Sequence, residues 1–196
     1  MFKDKNLKAY DNNYYKRQSH MRNDYYVLAN WIDKNIEGNL FGDVGCGEGY
    51  LITDLYNKFG KEVWGVDGSP AFQDFVDENI KNRIKKVDLT KKQKLDKADV
   101  AISMEVGEHL PNKSSDTFVD NIVSTDARTV IFTAAPPGQE GTNHINLQPP
   151  KFWEEKFNKR NYNLNSQLTD KFKADLGKEL KHAWWYANNI IILEKA

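Results

Sequence analysis

Three glycines alternate in Asp43-Val44-Gly45-Cys46-Gly47-Glu48-Gly49, after a short apolar run and ahead of an amphipathic one. Glycines at that spacing permit a tight strand-to-helix turn and bring backbone N–H groups close to a ligand at a helix N-terminus. A nucleotide-type ligand is the expectation, with a plain tight turn as the alternative. Asp67 ends the next apolar run, 20 residues after Gly47. There a carboxylate can accept hydrogen bonds from both ribose hydroxyls, or can cap a helix starting near Ser69. Asp88, in Val87-Asp88-Leu89-Thr90, stands where an acid or its neighbouring backbone can reach an adenine amino group, or where an aspartate simply makes a turn. Asp43 discriminates among nucleotides: a carboxylate two residues before the first glycine is a poor neighbour for a pyrophosphate and suits a cation. S-adenosylmethionine has an amine, a sulfonium and a ribose, and no phosphate.

A second group follows the fourth expected strand, in Glu105-Val106-Gly107-Glu108-His109. On a helix, Glu105, Glu108 and His109 fall at i, i+3 and i+4 and share a face. His144, in the loop after the fifth strand, should open on the same edge. Two carboxylates and two imidazoles can hold Mg²⁺ or another divalent cation. Without a metal, His109 or His144 can serve as general base, and a third reading leaves them to cofactor contacts and packing. The loop Pro136–Pro150 is expected to cover an acceptor, with Tyr14 or Tyr15 as a second wall or as core. Trp153, Trp184 and Trp185 read as packing, although an indole face also suits sugars and flat rings. Cys46 reads as an inert small residue of the loop rather than a nucleophile.

These groups need a scaffold, and the pattern supplies one. Val27, Leu28, Trp31, Ile32 and Ile36 predict a helix stopped near Gly38. A strand 40–44, a helix carrying Leu51, Leu55 and Phe59 up to Gly60, and a strand 62–66 follow. Ser69-Pro70 is expected to open a helix with Phe72, Phe75, Val76 and Ile80 on its apolar face. Strands at 84–87, 99–103 and 129–134 surround a helix at 114–124. A helix at 151–159, a strand at 162–164, a polar helical stretch and a strand at 189–193 complete the chain. Strands alternating with helices imply an α/β fold. The expectation is a Rossmann-like, doubly wound, mostly parallel seven-stranded sheet with helices on both faces and an antiparallel C-terminal edge strand. It would be one domain over 1–196, with an N-terminal helical cap (1–38), a cofactor-binding core (39–135) and an acceptor side (136–196).

The bulk composition excludes several classes. Lys+Arg and Asp+Glu number 28 each in 196 residues, so no net field favours nucleic acid or an anionic membrane. Arginine, the usual bidentate phosphate reader, occurs only at 17, 22, 83, 128 and 160. One cysteine, Cys46, cannot form an intramolecular disulfide and points to a reducing compartment. No apolar leader or span-length run is present, and the expected location is cytoplasmic.

The ordered segments DVGCGEG (43–49), VWGVDGS (63–69), VDLT (87–90) and ADVAISMEVGEHLP (98–111) resemble the motifs of class I S-adenosylmethionine-dependent methyltransferases. The likeness spans about residues 40–135 and extends more loosely through Asn143-His144-Ile145-Asn146 to Trp184-Trp185-Tyr186. It implies that Asp43, Gly45, Cys46, Gly47 and Gly49 hold the methionine part of the cofactor. It also implies Asp67, Gly68 and Ser69 at the ribose, Asp88 and Leu89 at the adenine, and Ser103, Met104 and Glu105 along the cofactor. The glutamate pair followed by histidine, with a later histidine, is similar to metal-dependent O-methyltransferases of ubiquinone biosynthesis and of small-RNA 3′ ends. That implies Glu105, Glu108, His109 and His144 as ligands, with His109 and His144 as the catalytic candidates. The expected activity is O-methylation of a small hydroxylated acceptor, a sugar or a phenol-like metabolite. Oxygen is favoured because Ser103-Met104-Glu105 stands where amino-methylating DNA enzymes carry Asn-Pro-Pro-Tyr or Asp-Pro-Pro-Tyr. The alternatives are a nicotinamide-dependent oxidoreductase, for which the third loop glycine is misplaced, and a non-catalytic cofactor-binding module.

Overall fold

The computed structural model describes Asn13, Lys16, residues 19–69 and residues 74–196. Tyr14, Tyr15, Pro70 and Phe72 lie outside the described residues, and with them the expected tyrosine wall.

Periodicity and caps explain the main elements. Helix α1 (Arg22–Asn35) buries Leu28, Ala29, Trp31 and Ile32, the stripe that its sequence spacing predicts. Strand β1 (Leu40–Val44) leads through the glycine loop into α2 (Tyr50–Phe59). Helix α2 is bracketed by Gly49 and Gly60, both left-handed, and the Gly60 N–H bonds back to Leu55 and Tyr56 carbonyls. Strand β2 (Glu62–Asp67) follows, then the short β3 (Ile84–Lys86) and β4 (Val100–Met104). Helix α3 (Ser115–Val123), β5 (Thr129–Thr133), α4 (Pro150–Asn158) and β6 (Tyr162–Leu164) come next. Proline opens α4 at its first turn, and the Asn165 side chain caps α5 (Ser166–Leu176) by accepting from the Leu168 N–H. A short α6 (Trp185–Asn189) precedes β7 (Ile191–Lys195).

The sheet order is β3-β2-β1-β4-β5-β7-β6, with β7 antiparallel to both of its neighbours and the other pairs parallel. The antiparallel strand therefore sits one place in from the edge, and the three-residue β6 occupies the edge itself. Order reverses between β1 and β4, so the loops after those strands diverge and leave a crevice at their carboxyl ends. The core lies on both faces. Phe41, Ile102, Ile131 and Ile192 pack with α1, α2 and α5 on one side, while Val44, Ala101, Phe132 and Leu193 pack with α3 and α4 on the other. Trp153 is 1% exposed and belongs to the second layer, as its packing role required.

Two stretches differ, among the described residues, from a helical reading. Residues 75–80, the described end of the helix expected from Ser69-Pro70, form turns and bends, although Val76 and Ile80 are buried as their apolar character demands. The Asp77 side chain accepts the Asn79 N–H at 2.9 Å, a local bond that competes with helix hydrogen bonding. After β4 only a single 3₁₀ turn forms, Gly107–His109, because Glu105 adopts a φ of 54°. Among the described residues no helix is long and apolar enough to cross a membrane.

Candidate functional site

A cavity of about 1180 Å³ opens at the β1/β4 reversal. Single-ligand pockets occupy roughly 300–1,000 Å³, so this one has room for two molecules. Its walls come from the ends of β1, β2, β3 and β4, the loop 136–144, the start of α1 and the segment 184–189.

At one end stand Asp43, Gly45, Cys46, Gly47 and Glu48, with Asp67, Gly68, Ser69, Asp88 and Leu89 beyond them. Gly45, with φ 91°, turns the chain out of β1, and its N–H and that of Cys46 bond to the Val66 carbonyl at 2.7 and 3.1 Å. Asp67 locks the same loop from below, accepting the Gly47 N–H at 3.0 Å and the Ser69 N–H at 2.8 Å. Gly49 and Ser103 do not line the cavity. Gly49 begins α2, and the fully buried Ser103 hydroxyl donates to the Val44 carbonyl at 2.7 Å. Asp88 is heavily engaged, accepting from the Thr90 N–H and hydroxyl and pairing with Lys91. Burial works against its charge, but these partners win and hold its carboxyl below the ordinary value.

The glycine loop carries unusual protonation. Burial, then the neighbouring Asp67, pushes Asp43 from 3.8 up to about 8. Burial likewise raises Glu48 from 4.5 to about 7, and its Oε1 has no hydrogen-bond partner. Asp67 is raised by burial too, against the pull of its backbone bonds. The same burial raises the Cys46 thiol well above its ordinary value, which makes it inert as a nucleophile. Acids whose folded values exceed their unfolded ones stabilise the fold below about pH 4, and that contribution is lost as pH rises through 7–8. The ligand-free protein should therefore melt at a lower temperature near pH 9 than near pH 6. Scanning calorimetry at both pH values checks this; equal melting temperatures would mean the two acids are charged throughout.

At the other end Glu108, His109 and His144 each offer a ligand atom, all within 4.8 Å of one another. The loop carrying His144 is tied to this turn: the Glu108 carbonyl accepts the Ile145 and Asn146 N–H groups at 2.9 and 3.0 Å. His109 Nδ1 faces the Asn143 carbonyl at 3.3 Å, and His144 Nδ1 faces the Gln139 carbonyl at 3.0 Å. Carbonyls only accept, so each Nδ1 carries the proton and each Nε2 the lone pair. Burial, then His144, lowers His109 to about 4, so it is neutral at pH 7. Glu108 is 0% exposed, and both its oxygens are buried with no well-formed hydrogen bond. Burial and the nearby Glu105 push its carboxyl well above the ordinary value. Glu105 is not one of the three, although it neighbours Glu108; its carboxylate accepts from the Gln139 and Asn189 amides at 2.8 and 3.1 Å. Met104 lines the cavity beside it. The trio can bind a cation, or accept a proton at an imidazole Nε2.

Sequence reasoning passed over His20, Met21, Tyr25, Gln139 and Asn189, all on the cavity wall. The signal for Gln139 and Asn189 was weak, since their value lies in bonds to Glu105 across 34 and 84 residues of chain.

A family model described as a methyltransferase domain matches residues 42–125. None of the curated proteins matches the chain significantly. Among solved structures, the magnesium protoporphyrin IX methyltransferase of Synechocystis PCC 6803 with bound SAH is similar over 89% of this chain and 83% of its own, at 17% identity and a TM-score of 0.64. An O-methyltransferase from a trans-AT PKS multienzyme of Brevibacillus brevis, in complex with S-adenosyl-L-homocysteine, is similar over 92% of this chain and 73% of its own, at 15% identity and a TM-score of 0.60. The cyclase SpnF is similar over 87% of this chain and 81% of its own, at 14% identity and a TM-score of 0.59. At such identities the likeness is one of fold, and the fold carries more than one chemistry.

Proposed function

We propose that this chain is a class I S-adenosylmethionine-dependent methyltransferase, a reading supported by the match of residues 42–125 to a methyltransferase domain, and that its methyl acceptor is a hydroxyl oxygen of a small molecule, assisted by a divalent cation at Glu108, His109 and His144. The observation that carries the proposal is the Glu108 carboxylate, fully buried without a well-formed hydrogen bond beside two imidazoles whose Nε2 atoms are unprotonated. Burial and the neighbouring Glu105 keep that carboxyl protonated in the empty site, and a cation is the partner against which it would ionise.

The donor's methionine end would lie against Asp43, Glu48 and the glycine loop, its ribose at Asp67 and its adenine toward Asp88 and Leu89. That order directs the sulfonium toward Glu105 and the trio. Asp43 and Glu48, protonated in the empty pocket below about pH 7–8, would ionise against the cationic donor, so donor binding releases protons, strengthens as pH rises toward about 7–8 and levels off above it. The methyl carbon passes in line from sulfur to oxygen: the S–C bond breaks as the O–C bond forms, and the hydroxyl proton must leave. Bound at the trio, a divalent cation would lower the pKa of an acceptor hydroxyl and orient it. The carbonyls of Asn143 and Gln139 fix both imidazoles through Nδ1–H.

A second arrangement draws support from the same tautomers: with no cation, His144 Nε2 takes the hydroxyl proton itself. One experiment separates the two. Enzyme dialysed against a chelator and assayed for S-adenosylhomocysteine release on a panel of hydroxylated small molecules should lose activity and regain it with Mg²⁺ or Mn²⁺. Activity indifferent to chelator removes the cation and leaves His144 as base. Failure to bind S-adenosylmethionine removes the methyl-transfer mechanism altogether.

A further inference from the structure

Part of the cavity wall is built by residues 184–189, an irregular approach at 181–184 followed by the short α6. Asp24, on the first turn of α1, is 1% exposed, and its carboxylate accepts three consecutive N–H groups: Lys181 at 3.2 Å, His182 at 2.6 Å and Ala183 at 2.7 Å. A carboxylate bonded by successive amides is a strong local clamp. It delivers the chain directly to Trp184, which lines the cavity while remaining 52% exposed. Trp185 meets the Trp184 ring edge-on, centroids 5.8 Å apart at 77°, and is itself packed against the core. Few large apolar side chains are this open on the described surface, and an indole face left bare at a cavity mouth is a contact surface awaiting a partner.

Charge limits the partner. Among the described lining residues Lys86 is the one lysine or arginine, and it ends β3 two residues before Asp88. The rest of the polar lining includes Glu140 and the amides of Asn143 and Asn188. The Asn143 Nδ2 is buried with no partner, a donor waiting for an oxygen. Such a surface offers an anionic group no counter-charge and offers hydroxyls several hydrogen-bond partners.

We propose that residues 181–189, hung on Asp24, are the acceptor-recognition wall, and that Trp184 is its platform for an uncharged, hydroxylated six-membered ring. The proposal rests on the methyl-transfer reading above and names the acceptor's class. Sugar and phenol rings share the needed chemistry, a flat apolar face with hydroxyls at its edge.

The test loads the full-length protein with S-adenosylhomocysteine and titrates methyl glucoside and catechol beside their carboxylate counterparts, glucuronate and protocatechuate, following ligand NMR signals. At least one neutral ring should bind in preference to its charged counterpart, and which one binds separates a sugar from a phenol. Trp184→Ala should weaken that binding by about tenfold, with partial recovery in Trp184→Phe. Asp24→Asn should weaken it similarly and speed hydrogen exchange at 181–183, with S-adenosylhomocysteine affinity unchanged in all three variants. Carboxylate probes bound as tightly as neutral ones, neutral-probe affinity indifferent to Trp184→Ala, or no neutral ring bound at all would each overturn the proposal. If the unaltered protein does not bind S-adenosylhomocysteine, it is the methyl-transfer reading that fails.

Discussion

Replacing His144 with alanine is expected to lower kcat by about 10²–10⁴-fold, the usual range for losing a positioned acid–base group. Cofactor affinity should stay within about twofold, because His144 stands with Glu108 and His109 and makes no hydrogen bond to the glycine loop. The loss follows whether Nε2 binds a cation or takes the proton directly. Gly141→Ala should move activity the same way by a different route. A Cβ there would overlap the His144 ring, so the imidazole must leave its bond to the Gln139 carbonyl. Steady-state kinetics paired with calorimetric titration of the cofactor checks both variants. A His144→Ala enzyme with unchanged kcat, or one that loses cofactor affinity in step with activity, would place His144 in the scaffold.

The second large effect belongs to the opposite end of the cavity. Asp67→Ala removes the acceptor of two backbone N–H groups, Gly47 and Ser69, as well as the expected ribose contact. Hydrogen bonds to a charged group are worth about 1.5–3 kcal/mol each. At 1.4 kcal/mol per tenfold, cofactor affinity should fall by about 10²-fold or more. Asp67→Asn retains one carbonyl oxygen and should fall less. Turnover at saturating cofactor should recover in both, which distinguishes this end of the site from the His144 end. Titration calorimetry reads the change directly, and an unaltered dissociation constant would show that Asp67 only shapes the turn.

These two residues also mark where the sequence was informative. Asp67 was legible because its position depends on one strand and one turn, Glu62–Asp67 and the glycine loop, whose spacing the β-α-β pattern sets. The alternation of strands and helices was readable for the same reason, since period-2 and period-3.6 apolar runs record local burial. The meeting of Glu108, His109 and His144 was anticipated, on the condition of a helix where only the 3₁₀ turn Gly107–His109 forms. Helical spacing put Glu105 with them, but its carboxylate is held by the Gln139 and Asn189 amides, contacts that no local pattern records. In the described residues 75–80, Val76 and Ile80 are buried as expected, yet the Asp77 side chain spends its bonding on a turn. Asp24 left no trace in the sequence. Its three partners lie more than 150 positions away, and no local pattern records a bond of that range.

The placement of β7 has a consequence for how the molecule assembles. The strand made last is the one that must slide between β5 and β6, so the sheet's right-hand half cannot close in the order of synthesis. Strands β1 to β5 can pair by sequential crossovers without it, whereas β6 has no neighbour until β7 arrives. Chain travelling into that gap carries residues 181–189 immediately ahead of it. Completion of the sheet and the setting of that segment are thus one closing event, which also brings Asp24 to residues more than 150 positions away.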